Sequence, residues 1–231
     1  MKIIFHGHAC FEIQGNSGSV LIDPFLSGNP MAKVKPDDFK NLSGILVSHG
    51  HSDHLGDAVQ ISKNTGAPII AVYELARYCE RQGATVHSMH IGGKYKFPFG
   101  LVRLTQALHG SAAESSNGEL VYTGLACGFL IQIDGLWLYH AGDTGLFGDM
   151  ELIGRRHPIE VAMVPIGDNF VMGPEEAVYA CQLLKPKQVI PMHYNTFPLI
   201  KQDVTEFINL LHRKALESKG RALNYEEAIE I

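Results

Sequence analysis

No long hydrophobic run and no sustained run of charge of one sign occurs anywhere in this chain. Its 231 residues carry a formal charge of −5 with no extended basic run, so the general attraction to polyanions that marks nucleic-acid or anionic-membrane binding is missing. No apolar stretch reaches the roughly 18 residues that a bilayer span requires. The N-terminal apolar run Ile3–Phe5 stops at His6, too short for a signal-peptide core, so neither export nor a membrane span is expected and the chain reads as cytoplasmic. The four cysteines, Cys10, Cys79, Cys127 and Cys181, form no C-x-x-C pair. That pattern argues against a disulfide scaffold and suits reduced thiols acting as small buried hydrophobes. Low-complexity tracts and long Pro/Gly/Ser linkers are also missing, and a chain 45% hydrophobic and 19% charged can bury a full core, so one domain over residues 1–231 is expected.

What is present alternates in an ordered way. Strand patterns at "KIIF", "CFEIQG" and "VLIDP" flank the turn "GNSGS" and predict an antiparallel meander. After "GILVSH" the pattern becomes helix ("LGDAVQISKNTG"), strand ("PIIAVY"), helix ("ELARYCERQG") and strand ("TVHSMH"). Strands return at "LVRLTQALH", "GFLIQID" and "LWLYHAGD", with Asp134-Gly135 as a two-residue hairpin signal. Then follow "VAMVPIG", a helix opened by Pro174 and Glu175, the strand "QVIPMH" and an amphipathic helix from about Lys201 to Ser218. Each half therefore runs strands first, then strand and helix alternating.

The chemistry concentrates at "SHGHSDH", residues 48–54, where three histidines and an aspartate lie within six positions directly after the apolar run "GILV". Where a chain leaves a strand and turns, imidazoles at i and i+2 can aim at one point, and Asp53 with His54 then face a neighbouring point. That spacing predicts two adjacent metal positions. Four ligands do not complete them, and His109, Asp143 and His193 each close a later apolar run. Asp143 is placed to bridge two cations with its two oxygens.

The cluster "HGHSDH" with His109, "AGDT" and "PMHYNT" resembles the metallo-β-lactamase-fold hydrolase superfamily across nearly the whole chain. "GHACFEI", "LIDPFLSGNP", "PIGDNFVMGPEEA" and "PMHYNTFP" are similar to its branch of metal-dependent hydrolases related to L-ascorbate-6-phosphate lactonase and N-acyl-phosphatidylethanolamine phospholipase D. The resemblance implies an α+β fold, a four-layer αβ/βα sandwich with metals at the strand ends. It implies one site of His49, His51 and His109, a second of Asp53, His54 and His193, and Asp143 between them. It also implies that Asp23 supports the ligand loop, as carboxylates beyond the ligand shell commonly do, and that His8 stands at the mouth of the site, where it could hold a substrate oxygen or donate a proton to the leaving group. His6 and His140 read as core or edge residues.

Asn169, Phe170 and Met172 precede a helix N-terminus suited to an anionic substrate group, and Tyr194, next to a ligand, is a further candidate pocket residue. Two divalent ions about 3.5–4 Å apart can lower the pKa of a shared water and present hydroxide to an electrophilic carbon or phosphorus, with Asp53 as acceptor of the water's proton. Zinc suits the donors, and manganese, iron or nickel remain open. The sequence does not choose between a lactone and a phosphodiester as substrate; a metal-binding or sensor module without catalysis is the alternative reading, and a complete ligand set with an open mouth argues against it. A small-molecule substrate is expected, nucleic acid is not, and a homo-oligomer is possible. The flavodiiron branch carries glutamate where His51 stands here, and the cysteine-ligand enzymes carry their cysteine where Asp143 stands.

Overall fold

The expected meander forms from β1 (Lys2–Gly7), β2 (Cys10–Gly15) and β3 (Gly18–Ile22) in a computed structural model that describes residues 1–115, 117–214 and 217–231. Its register sets Ile13 between Ile3 and Val20, and Phe11 between Phe5 and Ile22, so the period-2 pattern becomes two buried cross-strand rows. Next, β4 (Gly44–Leu46), β5 (Ile69–Val72) and β6 (Val86–Met89) join in parallel through α1 (Ser52–Leu55), α2 (Ala58–Thr65) and α3 (Tyr73–Arg81). Every residue of β4 and β5 is buried, as continuous apolar runs covered on both faces require.

The second half opens with β7 (Lys94–Phe97) and β8 (Gly100–Gln106), then a separate hairpin of β9 (Ala112–Glu114) and β10 (Leu120–Tyr122). Strands β11 (Cys127–Ile133) and β12 (Leu136–His140) follow, joined at Asp134-Gly135, where φ of +52° and +83° gives the two-residue turn that the dipeptide favours. The chain continues through α4 (Met150–Arg156), β13 (Ile159–Pro165), α5 (Pro174–Leu184), β14 (Gln188–Met192), α6 (Val204–Arg213), β15 (Lys219–Gly220) and β16 (Glu227–Glu230). Helix α6 starts later than the expected Lys201, because the Asp203 carboxylate caps it by accepting from the N–H groups of Thr205 and Glu206 at 2.8 and 3.2 Å. It ends at Arg213, and residues 215–216 of the expected helix lie outside the described residues.

Two seven-stranded sheets result, ordered β16-β1-β2-β3-β4-β5-β6 and β15-β14-β13-β12-β11-β8-β7. Helices α2 and α3 cover the first, and α5 and α6 the second, giving the αβ/βα order of four layers. One apolar cluster draws on both sheets. Phe11 of β2 meets the His140 ring of β12 edge-on at 5.7 Å, and His140 Nε2 lies 3.0 Å from the Ala9 carbonyl across the layers. His6 is likewise buried, with Nδ1 2.6 Å from Glu226 Oε2. All four cysteines are buried and unbridged. Among the described residues no helix is long and apolar enough to cross a membrane.

Strand direction decides what gathers at one edge. Strands β1, β3 and β4 point the same way, and so do β8, β12, β13 and β14. The residues just beyond their C-terminal ends are His8, Asp23, the 48–54 loop, His109, Asp143 and His193.

Candidate metal centre

The loop after β4 delivers His49 and His51 before any helix begins, and α1 then starts at Ser52, which puts Asp53 and His54 on its first turn. Gly50 between the two histidines is held by close approach rather than by flexibility alone. A Cβ there would collide with Thr123 Oγ1 and come within 3.1 and 3.2 Å of the Ala112 and Ala113 backbone. Ser111 accepts from the Gly50 N–H at 3.1 Å and pairs with Thr123 at 2.7 Å, so the strand-β9 segment is pinned against the ligand loop.

The seven residues anticipated as ligands converge. His49, His51 and His109 form one group with ligand atoms within 4.8 Å of one another, and Asp53, His54 and His193 form another together with His8. Asp143 lies between the groups. Its Oδ1 is 3.2 Å from His54 Nε2, and its Oδ2 is 3.0 Å from His193 Nε2, 3.6 Å from His109 Nε2 and 4.0 Å from His49 Nε2. Burial would raise the Asp143 carboxyl, but His54 and His193 hold it well below the usual carboxylate range. Burial works against charge on His54 as well, yet Asp143 and Asp23 raise that imidazole well above its ordinary value. His49 goes the other way, lowered by burial and by the neighbouring His54.

A divalent cation fits this donor set. His54 Nε2, Asp143 Oδ1 and both ring nitrogens of His193 are buried with no hydrogen-bond partner among the described residues, although some lie only 3.0–3.2 Å from an opposite charge. Such orphans cost about 1–3 kcal/mol each when left unpaired; His54 Nε2, Asp143 Oδ1 and His193 Nε2 lie at the point where the groups meet, whereas His193 Nδ1, on the other side of its ring, does not face it. Imidazole nitrogen with carboxylate oxygen is a borderline donor set, suited to zinc and to neighbouring first-row ions.

Behind the candidate ligands lies Asp23. Its Oδ2 lies 2.8 Å from His54 Nδ1 and accepts from Ser48 Oγ at 2.7 Å, while Oδ1 accepts from the Ser48 N–H at 2.7 Å. Ser48 Oγ is also 3.0 Å from His49 Nδ1. One carboxylate and one hydroxyl thus orient a histidine of each group. Three residues here, His8, Asp23 and His193, have left-handed backbone at φ +57°, +45° and +55°, a conformation costing about 1–3 kcal/mol apiece. The His193 N–H donates to the His8 carbonyl at 2.7 Å, tying the two sheets together at this point.

His8 is not at the mouth. It is 1% exposed, packed under the Phe25 and Phe197 rings and 4.1 Å from the His193 ring. Its Nε2 lies 3.2 Å from Asp53 Oδ2, and its Nδ1 2.9 Å from Thr196 Oγ1. Burial pushes the imidazole down to about 4, against the pull of Asp53. Asp53 itself stays well below the usual carboxylate range: burial would raise it, but His8 and His54 outweigh that.

Over the ligands opens a cleft of about 650 Å³, reached by His51, Asp53, His109, Asp143 and His193 and walled by Phe25, Ala112, Leu120, Phe170, Phe197 and Leu199, with Ser52 and Glu114. Of the pocket residues suggested by sequence, Phe170 lines it. Met172 is buried, with its N–H donating to the Thr144 carbonyl at 3.0 Å; Asn169 is exposed and Tyr194 packs partly buried against the core, and none of these three lines the cleft. Sequence reasoning missed Ser48, Thr196, Leu120, Phe197 and Leu199. Ser48 and Thr196 stand inside quoted motifs, but a lone hydroxyl or leucine carries no signature of its partner.

The comparisons with known proteins give the family. A family model described as "Beta-lactamase superfamily domain" matches residues 19–194. A protein of Desulfitobacterium hafniense named UPF0173 metal-dependent hydrolase is 67% identical over 225 residues, covering 96% of this chain and 95% of its own. One of the same name from Pelotomaculum thermopropionicum is 52% identical over 231 residues, covering 100% of both. Among solved structures, a metallo hydrolase of the hyperthermophilic archaeon Ignicoccus hospitalis is 34% identical with a TM-score of 0.89, covering 100% of this chain and 98% of the other.

Proposed function

Since the chain belongs to the β-lactamase superfamily domain family and is a metal-dependent hydrolase, we propose that it works with two divalent ions and cleaves an ester-type bond, a lactone or a phosphodiester. The observation that carries this is the position of Asp143, whose two oxygens reach histidines of both groups. His49, His51 and His109 would hold one ion, and Asp53, His54 and His193 the other, with Asp143 shared; zinc is the preferred ion. Two ions so placed would supply a lowered water pKa and positive charge opposite the attacked group.

The remaining chemistry belongs to the chain. Asp53 lines the cleft and is held ionised, so it can accept the proton that the attacking water sheds and return it to the leaving oxygen. An ionised carboxylate only accepts, so His8 must donate to it from Nε2, and Thr196 then donates its hydroxyl proton to His8 Nδ1. His8 therefore acts through Asp53, fixing its oxygen and tuning its basicity, and does not meet the leaving group itself.

Elemental analysis of the metal-loaded protein, combined with turnover of a panel of lactones, aryl esters and phosphodiesters, tests the reading. About two ions per chain are expected, with hydrolysis abolished by chelation. Asp143→Ala should disturb both ions, whereas His109→Ala should chiefly empty one. Saturation at one ion, or an equal loss of a single ion in both variants, overturns the bridging role.

A further inference from the structure

We infer that the part of the substrate beyond the reacting bond is neutral and apolar, an alkyl or acyl chain and not a phosphate- or carboxylate-bearing group. This rests on the hydrolase reading of the same cleft and adds what the cleft selects. Four separate connections each place a large apolar side chain around the ligands: Phe25 after β3, Leu120 on the β9–β10 hairpin, Phe170 between β13 and α5, and Phe197 with Leu199 between β14 and α6. Leu120 is 77% exposed, Leu199 68% and Phe170 54%. Apolar surface left to water by several independent loops around one concavity marks a ligand groove rather than incomplete packing.

The charges exclude the alternative. No lysine or arginine is among the described residues lining the cleft, and its one ionisable wall residue outside the ligand groups is Glu114, which repels anions. The backbone N–H groups that sequence suggested for an anion are already used. Those of Asn169 and Val171 donate to Asp168 at 2.9 and 3.0 Å, and that of Met172 to Thr144 at 3.0 Å. The N-terminus of α5 carries Glu175 and Glu176 in its own first turn and does not reach the cleft. Positive charge is thus confined to the reacting end.

Calorimetric titration of the metal-loaded protein with n-alkyl hydroxamates of increasing length, alongside hydroxamates of equal length ending in a carboxylate, tests this by binding alone. Affinity should rise about two- to fourfold per added methylene, fourfold being the value of a fully buried CH₂, and the carboxylate-ended members should bind at least about tenfold more weakly, the scale of a misplaced charge. Phe170→Lys, at a position exposed enough to tolerate it, should narrow or reverse that preference. A flat dependence on length, or carboxylate-ended members binding as well as the alkyl ones, overturns the apolar inference while leaving the metal reading intact. Failure of every hydroxamate, long and short, to bind a protein of verified metal content overturns both the apolar inference and the reading of this cleft as the substrate site.

Discussion

His8 shows how one buried side chain acquires a role through the proton inventory of its neighbours. Asp53 accepts only, Thr196 is the remaining group at hydrogen-bond distance, and burial favours the neutral ring, so the tautomer follows and the three residues form a donor chain directed at Asp53 Oδ2. His8→Ala should keep full metal content, because on the proposed assignment two ions would have three or four protein ligands each without it. It should lose roughly 10- to 10²-fold in rate with a poor leaving group, the value of one hydrogen bond to the charged carboxylate that carries the proton, and less with a good one, and Thr196→Ala should show the same dependence more weakly. Rates and metal content measured on matched ester pairs decide it: loss of an ion makes His8 a ligand, and an unchanged rate with every substrate reduces it to packing. The candidate ligands that the fold brings together were legible in the sequence because four of them sit within six positions and three more end apolar runs. Ser48 and Thr196 were not, since what defines them is Asp23, 25 residues away, and His8, 188 residues away, and a hydroxyl advertises neither.

Among the elements, those with strong periodicity were readable: the meander, the alternating segment from β4 to β6, the Asp134-Gly135 hairpin and α5. The short or polar ones were not. Strand β10 has all three residues exposed and exists through its pairing with β9, while β16 is held by β1 from the far end of the chain. Helix α4 also escaped notice, its seven residues having one fully buried member, Met150. Yet the β9 segment matters to the centre, because it presses on Gly50. Gly50→Ala should displace the His49–His51 loop and weaken ion binding by the His49, His51 and His109 group, with an overpacking cost of about 1–3 kcal/mol. Removing the nearest obstacle in a Gly50→Ala, Thr123→Ala double variant should recover part of it, leaving the backbone contacts at 3.1 and 3.2 Å. Metal titrations of both variants provide the check, and a Gly50→Ala protein with unchanged affinity would mean the loop yields freely.

At the scale of the whole molecule, each sheet supplies part of the centre. The β1–β6 half brings His8, Asp23, His49, His51, Asp53 and His54, and the β7–β15 half brings His109, Asp143 and His193. Neither half alone satisfies the buried charge: His54 is oriented by Asp23 of its own half but faces Asp143 of the other. Ions held there would link the halves, and an ion that binds the folded chain and not the unfolded one stabilises by mass action, about 2.7 kcal/mol at a hundredfold excess over Kd. For a chain of this length 1 kcal/mol moves the melting temperature by about 2–4 °C. Chelation should therefore lower it by about 5–10 °C per ion lost. The decrease should come as one transition, since the apolar cluster spans both sheets and we propose a single cooperative unit. Calorimetry on metal-loaded and chelated protein, with metal content verified in each, measures this. An unchanged melting temperature after full removal would show that the halves hold together without the ions, and two separated transitions would show that each half folds as its own unit.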